Sequence, residues 1–153
     1  LLGATLPVSR VSSPDLHRHL ALGLAGDYLA GLEPPAPLPW RVITGSILLL
    51  CAACFITPAL GQFRRAGTKA VPWKPSTAIV ATGVYRLTRN PMYVGMALAY
   101  FGLAILGGGI VALVLLPVAM LVIQHGVILR EAYLEGKFGA DYLRYKAAVR
   151  RWL

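Results

Sequence analysis

Two stretches of the chain carry no Asp, Glu, Lys or Arg, and they constrain its fold more than any other feature. They are residues 42–63, which are 22 positions, and residues 90–129, which are 40. Since about 20 apolar residues cross a bilayer as an α-helix, they predict one span and two spans. The composition, 57% hydrophobic and 14% charged, is more apolar than that of soluble domains. We therefore predict an all-α polytopic membrane protein with three transmembrane helices in a single domain, residues 1–153.

The expected spans are residues 41–60, 90–106 and 110–129, with a turn at the glycines 107–109 between the second and third. Residues 61–89 carry six basic residues and no acidic ones, so the positive-inside rule predicts that this loop is cytoplasmic. The uncharged glycine turn then lies on the far side. The net charge of +9 could suggest nucleic acid, but the basic residues flank spans, so no nucleic-acid partner is expected. The basic residues of the loop are Arg64, Arg65, Lys69, Lys74, Arg86 and Arg89.

Residues 16–32 have a helical pattern but contain charged and titratable residues, including Asp27. Two alternatives stay open for this weak helix: a short first span, or an interfacial helix. Four prolines within residues 33–40 then predict a non-helical connection.

From Arg130 the chain becomes amphipathic, with apolar positions at spacings of four, four, three and four residues. This pattern predicts a cytosolic helix. The two-span hairpin would bring this helix and the basic loop to the same membrane face. A site built from both segments would lie at the cytoplasmic interface. The apolar positions are Leu134, Phe138, Tyr142, Tyr145 and Val149.

At the entrance of the second span, Arg89, Asn90 and Pro91 allow two interpretations. Asn90 could cap the helix with Pro91 at its first position, while Arg89 reaches lipid headgroups. Alternatively, the helix start and Arg89 could bind a carboxylate or phosphate, with Tyr93 adding a ring and Gly95 a close backbone approach.

Several further residues could each have either a purely structural or a functional role. Glu131 is either a solvated charge or a group that binds a cofactor or accepts a proton. Gln124 and His125 suit interhelical hydrogen bonds or catalysis. Cys51 and Cys54 have no second pair of ligands that would complete a tetrahedral metal site. A role in helix packing is therefore favoured, and no metal site is expected.

Two sequence motifs, in their order along the chain, resemble those of the integral-membrane methyltransferases of the isoprenylcysteine carboxyl methyltransferase and phospholipid methyltransferase superfamily. The first motif of that superfamily, R-(H/N)-P-x-Y-x-G, is present at residues 89–95. The second, E-E-x-x-L-x-x-x-F-G-x-x-Y-x-x-Y, keeps register over residues 130–145, except that Arg130 replaces the first glutamate. The resemblance covers residues 41–153, whereas residues 1–40 match it poorly.

The resemblance implies S-adenosylmethionine as cofactor, bound between the two motifs at the cytosolic face. It implies catalytic roles for Arg89 and Glu131, and His125 is a further candidate, as a base. Arg150 and Arg151 are expected to meet lipid headgroups. The implied cofactor-binding residues are Gly83, Tyr85, Arg89, Asn90, Pro91, Tyr93, Gly95, Glu131, Tyr142 and Tyr145.

The expected function is methyl transfer to a lipophilic or small acceptor bearing a carboxylate, thiol or amine. An ammonium acceptor would first lose a proton to Glu131, His125 or a tyrosine, whereas a carboxylate or thiolate needs no base. The alternative is a catalytically inactive family member that acts as a membrane scaffold or lipid-binding protein, because Arg130 replaces a glutamate. Membrane lipids are expected partners, and the family's habit suggests a bacterial inner membrane.

Overall fold

The computed structural model describes residues 13–65, 67, 79 and 81–153, and these form helices without a strand. Lys69, Lys74 and residues 1–12 lie outside the described residues, so the predictions made for them stay predictions. In chain order the helices are α1 (Ser13–Ala30), α2 (Leu38–Arg65), a 3₁₀ turn (Gly83–Arg86), α3 (Pro91–Gly107), α4 (Ile110–Phe138) and α5 (Ala140–Ala148).

Two of the described helices are long and apolar enough to cross a membrane, namely α2 with 28 residues and α4 with 29. The prediction of a third span is not confirmed. The apolar helix α3 has only 17 residues, which at 1.5 Å per residue is about 26 Å, short of the roughly 30 Å hydrocarbon core. Pro91 sets its first turn, and Gly108, with φ of 68°, ends it in the left-handed conformation.

The predicted helix boundaries need correction at both ends of α2 and at the end of α4. The helix α2 ends at Arg65, inside the segment predicted to be a loop from residue 61. The helix α2 begins at Leu38, inside the segment predicted to be a non-helical connection, because a proline is tolerated in the first turn of a helix. The helix α4 continues through Arg130 to Phe138 instead of ending where the charges begin. It ends at Gly139, whose φ of 51° favours glycine. The amphipathic segment is thus the last part of α4 followed by the short helix α5.

Small residues form the contact between α2 and α3. On α2 they are Gly45, Ala52 and Ala59, spaced seven residues apart and all buried. On α3 they are Gly95 and Gly102, also seven apart. A Cβ added to Gly102 would lie 3.0 Å from the Gly45 carbonyl oxygen. Such seams let two helix backbones approach closely in a membrane.

The weak first helix, α1, packs against α4. Its Leu16, Leu20 and Leu24 join a buried cluster with residues of α3 and α4, and a Cβ on Gly23 would lie 2.5 Å from the Ala112 Cα. This apolar face is therefore not free to lie on a lipid surface, which weighs against the interfacial alternative. The helix α1 is not among the two that qualify as spans.

Two charged side chains stabilise the helix ends at the glycine turn. The Asp27 carboxylate of α1 accepts the Val111 N–H at 2.9 Å, near the start of α4. Arg41 of α2 donates to the carbonyls of Ile105 at 3.2 Å and Leu106 at 2.6 Å, at the end of α3. Free N–H and C=O groups at helix ends need such partners. Asp27, which makes α1 a poor span by sequence, thus has a structural role.

The hairpin of α3 and α4 carries the two motifs to its open end, opposite the glycine turn. The Asn90 side-chain amide at the start of α3 donates to Glu131 of α4 at 3.3 Å. The expected meeting of the two motifs is therefore observed.

Candidate active site

A pocket lies at this open end, between the end of α2, the 3₁₀ turn, the start of α3, the last part of α4, and α5. Eight of the ten expected cofactor-binding residues line it, apart from Gly83 and Gly95. The lining residues are Phe63, Ile79, Tyr85, Arg89, Asn90, Pro91, Met92, Tyr93, Arg130, Glu131, Leu134, Tyr142 and Tyr145.

Glu131 is the buried charge at the centre of the site, with 3% of its surface exposed. Arg151 holds it from residues that follow α5. The Nε of Arg151 lies 3.2 Å from both carboxylate oxygens, and its Nη2 lies 3.0 Å from Oε2. The Arg89 Nη1 lies 3.4 Å from the same Oε2. A buried carboxylate needs such partners, because it has lost its hydration.

Asn90 is a further hydrogen-bond donor to Glu131. The residue stands at the N-cap position of α3, but its side chain makes no capping bond. Its Nδ2 instead donates to Glu131 Oε1 and, at 3.4 Å, to the Arg151 carbonyl. The fully buried Thr88 supports it, since its hydroxyl accepts the Asn90 N–H at 3.2 Å and donates to the Arg151 carbonyl at 2.8 Å. Asn90 is therefore a site residue in this structure and not a cap.

Arg89 is the buried cation of the site, with its side chain 8% exposed. Its Nε and Nη1 are buried and make no hydrogen bond within the described structure. Buried N–H groups without acceptors are costly, more so when they belong to a charged group. An anionic group that entered the pocket would satisfy them.

Aromatic side chains form the rest of the wall. The Tyr85 ring meets the Phe63 ring edge to face with centroids 5.5 Å apart. The Tyr145 hydroxyl donates to the Tyr85 carbonyl at 2.7 Å, which ties α5 to the 3₁₀ turn. Tyr93 and Tyr142 are 7% and 3% exposed. These rings provide an apolar, water-poor surface around the charged groups.

The structure does not bring three expected residues into the pocket. His125 is exposed on α4, six residues before Glu131 and so on a different face of the helix. Gly95 belongs to the α2–α3 contact, where an added Cβ would lie 2.5 Å from Ile56. Gly83 has a φ of 57° and lies against the Gln62 side chain. Both glycines serve local backbone geometry and packing.

Sequence reasoning missed Thr88 and Arg151 as site residues, and it assigned Arg151 to lipid headgroups. A signal for Arg151 was present, because a buried Glu131 requires a cation and two arginines follow the helix that faces it. Arg130 lines the pocket with its guanidinium 5.9 Å from the Phe63 ring centre. Gln124, assigned to interhelical bonding, accepts the Trp152 indole N–H at 2.9 Å.

Comparison with known proteins identifies the family. A family model described as phospholipid methyltransferase matches residues 40–141, which is most of the chain and includes the first motif and the second motif up to residue 141. The chain belongs to the phospholipid methyltransferase family. The expected superfamily is therefore confirmed, and membership suggests methyltransferase activity.

The chain is also similar to an uncharacterized protein of Haemophilus influenzae (strain ATCC 51907 / DSM 11121 / KW20 / Rd). The two are 41% identical over 63 residues, which are 40% of this chain and all of that protein. No solved structure matches the chain. The name of that relative specifies neither a methyl acceptor nor a cofactor.

Burial determines the protonation of three pocket tyrosines. It raises the pKa of Tyr85 above the ordinary value of 10.0, and Arg130 partly opposes this. It also raises the pKa of Tyr145 and of Tyr142, where Glu131 adds to the rise and Arg89 opposes it. These tyrosines are therefore neutral hydrogen-bond donors at neutral pH. A tyrosine is a poor candidate for the base that an ammonium acceptor needs.

We expect the folded protein to lose stability in alkali because of these tyrosines. The pKa of each of these tyrosines is higher in the folded state than in the unfolded state. Their contribution to the free energy of unfolding is therefore complete below the unfolded pKa of 10.0. It is lost as the pH rises from there toward the folded pKa. Each tyrosine contributes a slope of about 1.4 kcal/mol per pH unit in that window. Unfolding of the detergent-solubilised protein at pH 8 to 12 measures it.

Tyr85→Phe should reduce the dependence of the unfolding free energy on alkaline pH by the contribution of one tyrosine, about 1.4 kcal/mol per pH unit. Tyr28, which is 87% exposed, offers the matched control, and Tyr28→Phe should leave the slope unchanged. An equal slope in wild type and Tyr85→Phe would contradict the assignment.

Proposed function

We propose that the protein transfers a methyl group from S-adenosylmethionine to an acceptor at the cytoplasmic face of a membrane. The observation that carries the proposal is the pair of buried charges Arg89 and Glu131 in the wall of an aromatic pocket, at the meeting point of the two family motifs, with Arg151 bound to Glu131. Buried charged groups are costly, and those with perturbed environments concentrate at functional sites.

The pocket residues suit this cofactor in charge and in chemical character. The unpartnered N–H groups of Arg89 suit a carboxylate. The faces of Tyr85 and Tyr93 suit a planar base, and the apolar Met92 and Leu134 line the same space. Glu131 supplies the negative charge that complements an ammonium or sulfonium group.

When bound, the cofactor supplies an electrophilic methyl group on a sulfonium. The protein must then align the acceptor and exclude water. The buried rings of Tyr93 and Tyr142 exclude water. The hydrogen bonds from Asn90 and Arg151 hold the Glu131 carboxylate in one orientation.

The pocket favours an acceptor that needs no base. Glu131 already accepts bonds from Asn90 and Arg151, His125 lies elsewhere, and the three tyrosines keep their protons. Among the described residues that line the pocket, none is a free base. We therefore favour a carboxylate or thiolate acceptor of lipophilic character over an ammonium.

The membrane setting is part of the proposal. The long apolar helices α2 and α4 could anchor the chain, and Arg64, Arg65 and Arg86 lie near the pocket end of the helices. Positive charge at one face favours a cytoplasmic orientation. The bacterial relative supports a bacterial inner membrane as the location.

S-adenosylhomocysteine binding to the detergent-purified protein, measured by calorimetry, tests the cofactor. We expect saturable binding with one site, which Tyr93→Ala weakens by about 10- to 100-fold, since stacking on one ring is worth about 1–3 kcal/mol. Tyr133→Ala is the matched control, because Tyr133 lies on α4 outside the pocket, with Lys137 beside its ring. Its binding should equal that of wild type.

Absence of binding by a folded wild type would contradict the cofactor assignment. The inactive scaffold would then be favoured, and the specific observation behind it is Arg130 in the pocket wall, where the family has a glutamate. Equal binding by Tyr93→Ala and wild type would contradict the site instead.

A further inference from the structure

The residues after α5 return across the entrance of α3 and join the site. We call residues 149–153 the return segment. Its Arg150 carbonyl accepts the Arg89 N–H at 2.9 Å, and its Arg151 carbonyl accepts the Thr88 hydroxyl at 2.8 Å. Trp152 donates its indole N–H to Gln124 of α4 at 2.9 Å. The return segment is therefore bonded both to the first motif and to the helix that carries Glu131.

These bonds aim the Arg151 guanidinium at Glu131. Its Nε and Nη2 approach both carboxylate oxygens at 3.0 to 3.2 Å, in the fork geometry that makes arginine–carboxylate pairs directional. The Glu131 side chain is 4% exposed and that of Arg151 is 33% exposed. The pair thus joins a buried carboxylate to a partly exposed guanidinium.

The charges of the cluster do not cancel. Two guanidiniums share one carboxylate, which leaves one positive charge. Arg151 and Asn90 donate hydrogen bonds to the carboxylate, whereas the Arg89 Nη1 forms only an ion pair with it at 3.4 Å, and neither Nε nor Nη1 of Arg89 makes a hydrogen bond. Without Arg151, Glu131 would turn to Arg89 and neutralise it.

We propose that Arg151 is a positioning residue, which binds Glu131 and so keeps Arg89 available for the carboxylate of the cofactor. This inference rests on the proposed function, because it needs a ligand that carries the anion. Arg151 acts through Glu131 and Arg89 and does not itself touch the reacting atoms.

Two ligands that differ in the anion test the proposal by calorimetry. S-adenosylhomocysteine carries a carboxylate, and 5′-methylthioadenosine keeps the nucleoside and the sulfur without it. We expect Arg151→Gln to lower the affinity for S-adenosylhomocysteine by about 10- to 100-fold, which corresponds to the loss of one hydrogen bond to a charged group. The affinity for 5′-methylthioadenosine should change by less than about threefold. A purely structural role would weaken both ligands equally.

Arg150→Gln is the matched control, since its side chain is exposed and it removes the same charge one residue away. It should bind both ligands as wild type does. If Arg151→Gln does not fold, Arg151→Lys keeps the charge and loses the fork, and it should weaken S-adenosylhomocysteine alone. Equal weakening of both ligands, or no weakening, overturns the proposal while wild-type binding stands. Loss of wild-type binding overturns the proposed function itself.

Discussion

Glu131→Gln is expected to abolish measurable S-adenosylhomocysteine binding. The substitution keeps the size of the side chain but removes the only negative charge between Arg89 and Arg151, which are 3.4 and 3.0 Å from it. The two guanidiniums then repel each other, and one amide N–H₂ faces donors. Removing one partner of a buried ion pair costs about 3–5 kcal/mol, and the lower end applies because Arg151 is one-third exposed.

Binding and stability must therefore be measured together for Glu131→Gln. We expect the free energy of unfolding to fall by about 3 kcal/mol. The double substitution Glu131→Gln with Arg151→Gln should recover part of this loss, since it removes one of the two repelling charges. The recovery in stability should not restore binding, because the carboxylate is still absent.

Glu135→Gln provides the matched control for charge removal. Glu135 lies one turn further along α4 and pairs with Lys146 in a half-exposed ion pair. Such pairs contribute about 0–1 kcal/mol, so stability should hardly change and binding should match wild type. If Glu131→Gln behaves like Glu135→Gln, Glu131 is not part of the cofactor site.

Gly102→Leu is expected to separate α2 from α3 and to destabilise the protein by at least about 3 kcal/mol. A Cβ there would already lie 3.0 Å from the Gly45 carbonyl oxygen and 3.2 Å from Leu48 and Leu49. The further atoms of leucine have no space, and a backbone carbonyl cannot move without its helix. Thermal unfolding and size-exclusion chromatography in detergent measure the effect.

Two further substitutions serve as comparisons for Gly102→Leu. Gly102→Ala adds only the Cβ and should cost about 1 kcal/mol. Ala53→Leu places a leucine on the exposed side of α2, where it adds the three carbon atoms beyond Cβ, and it should be tolerated. A stable Gly102→Leu variant would show that the two backbones are further apart than described. The substitution should also weaken cofactor binding, because α3 carries Asn90 toward Glu131.

Much of the candidate site was predictable from motif register. Eight of the ten expected cofactor-binding residues line one pocket, because a two-helix hairpin necessarily returns the second motif to the level of the first. Gly83 and Gly95 do not line this pocket, and their expected contact with the cofactor stays a prediction. A glycine in a motif does not reveal whether its missing side chain makes room for a ligand or for a helix. Gly95 makes room for Ile56.

The charged end of α4 shows a second limit of prediction from sequence patterns. A change from apolar to charged residues at Arg130 predicted a helix boundary, yet the helix continues to Phe138. Charged residues with good helix propensity, such as Arg and Glu, mark where a helix leaves an apolar environment and not where it ends. The end required Gly139 and its left-handed backbone.

The sequence by itself determined the apolar helices, the glycine turn, the positively charged loop and the family, because each depends on local composition or on motif order. Only the tertiary structure decided which charges meet. Asp27 meets the start of α4, Arg41 the end of α3, and Arg151 the buried Glu131. The physical reason is that the partner of a buried charge is set by distances across packed helices, and those distances depend on close contacts such as that between Gly45 and Gly102.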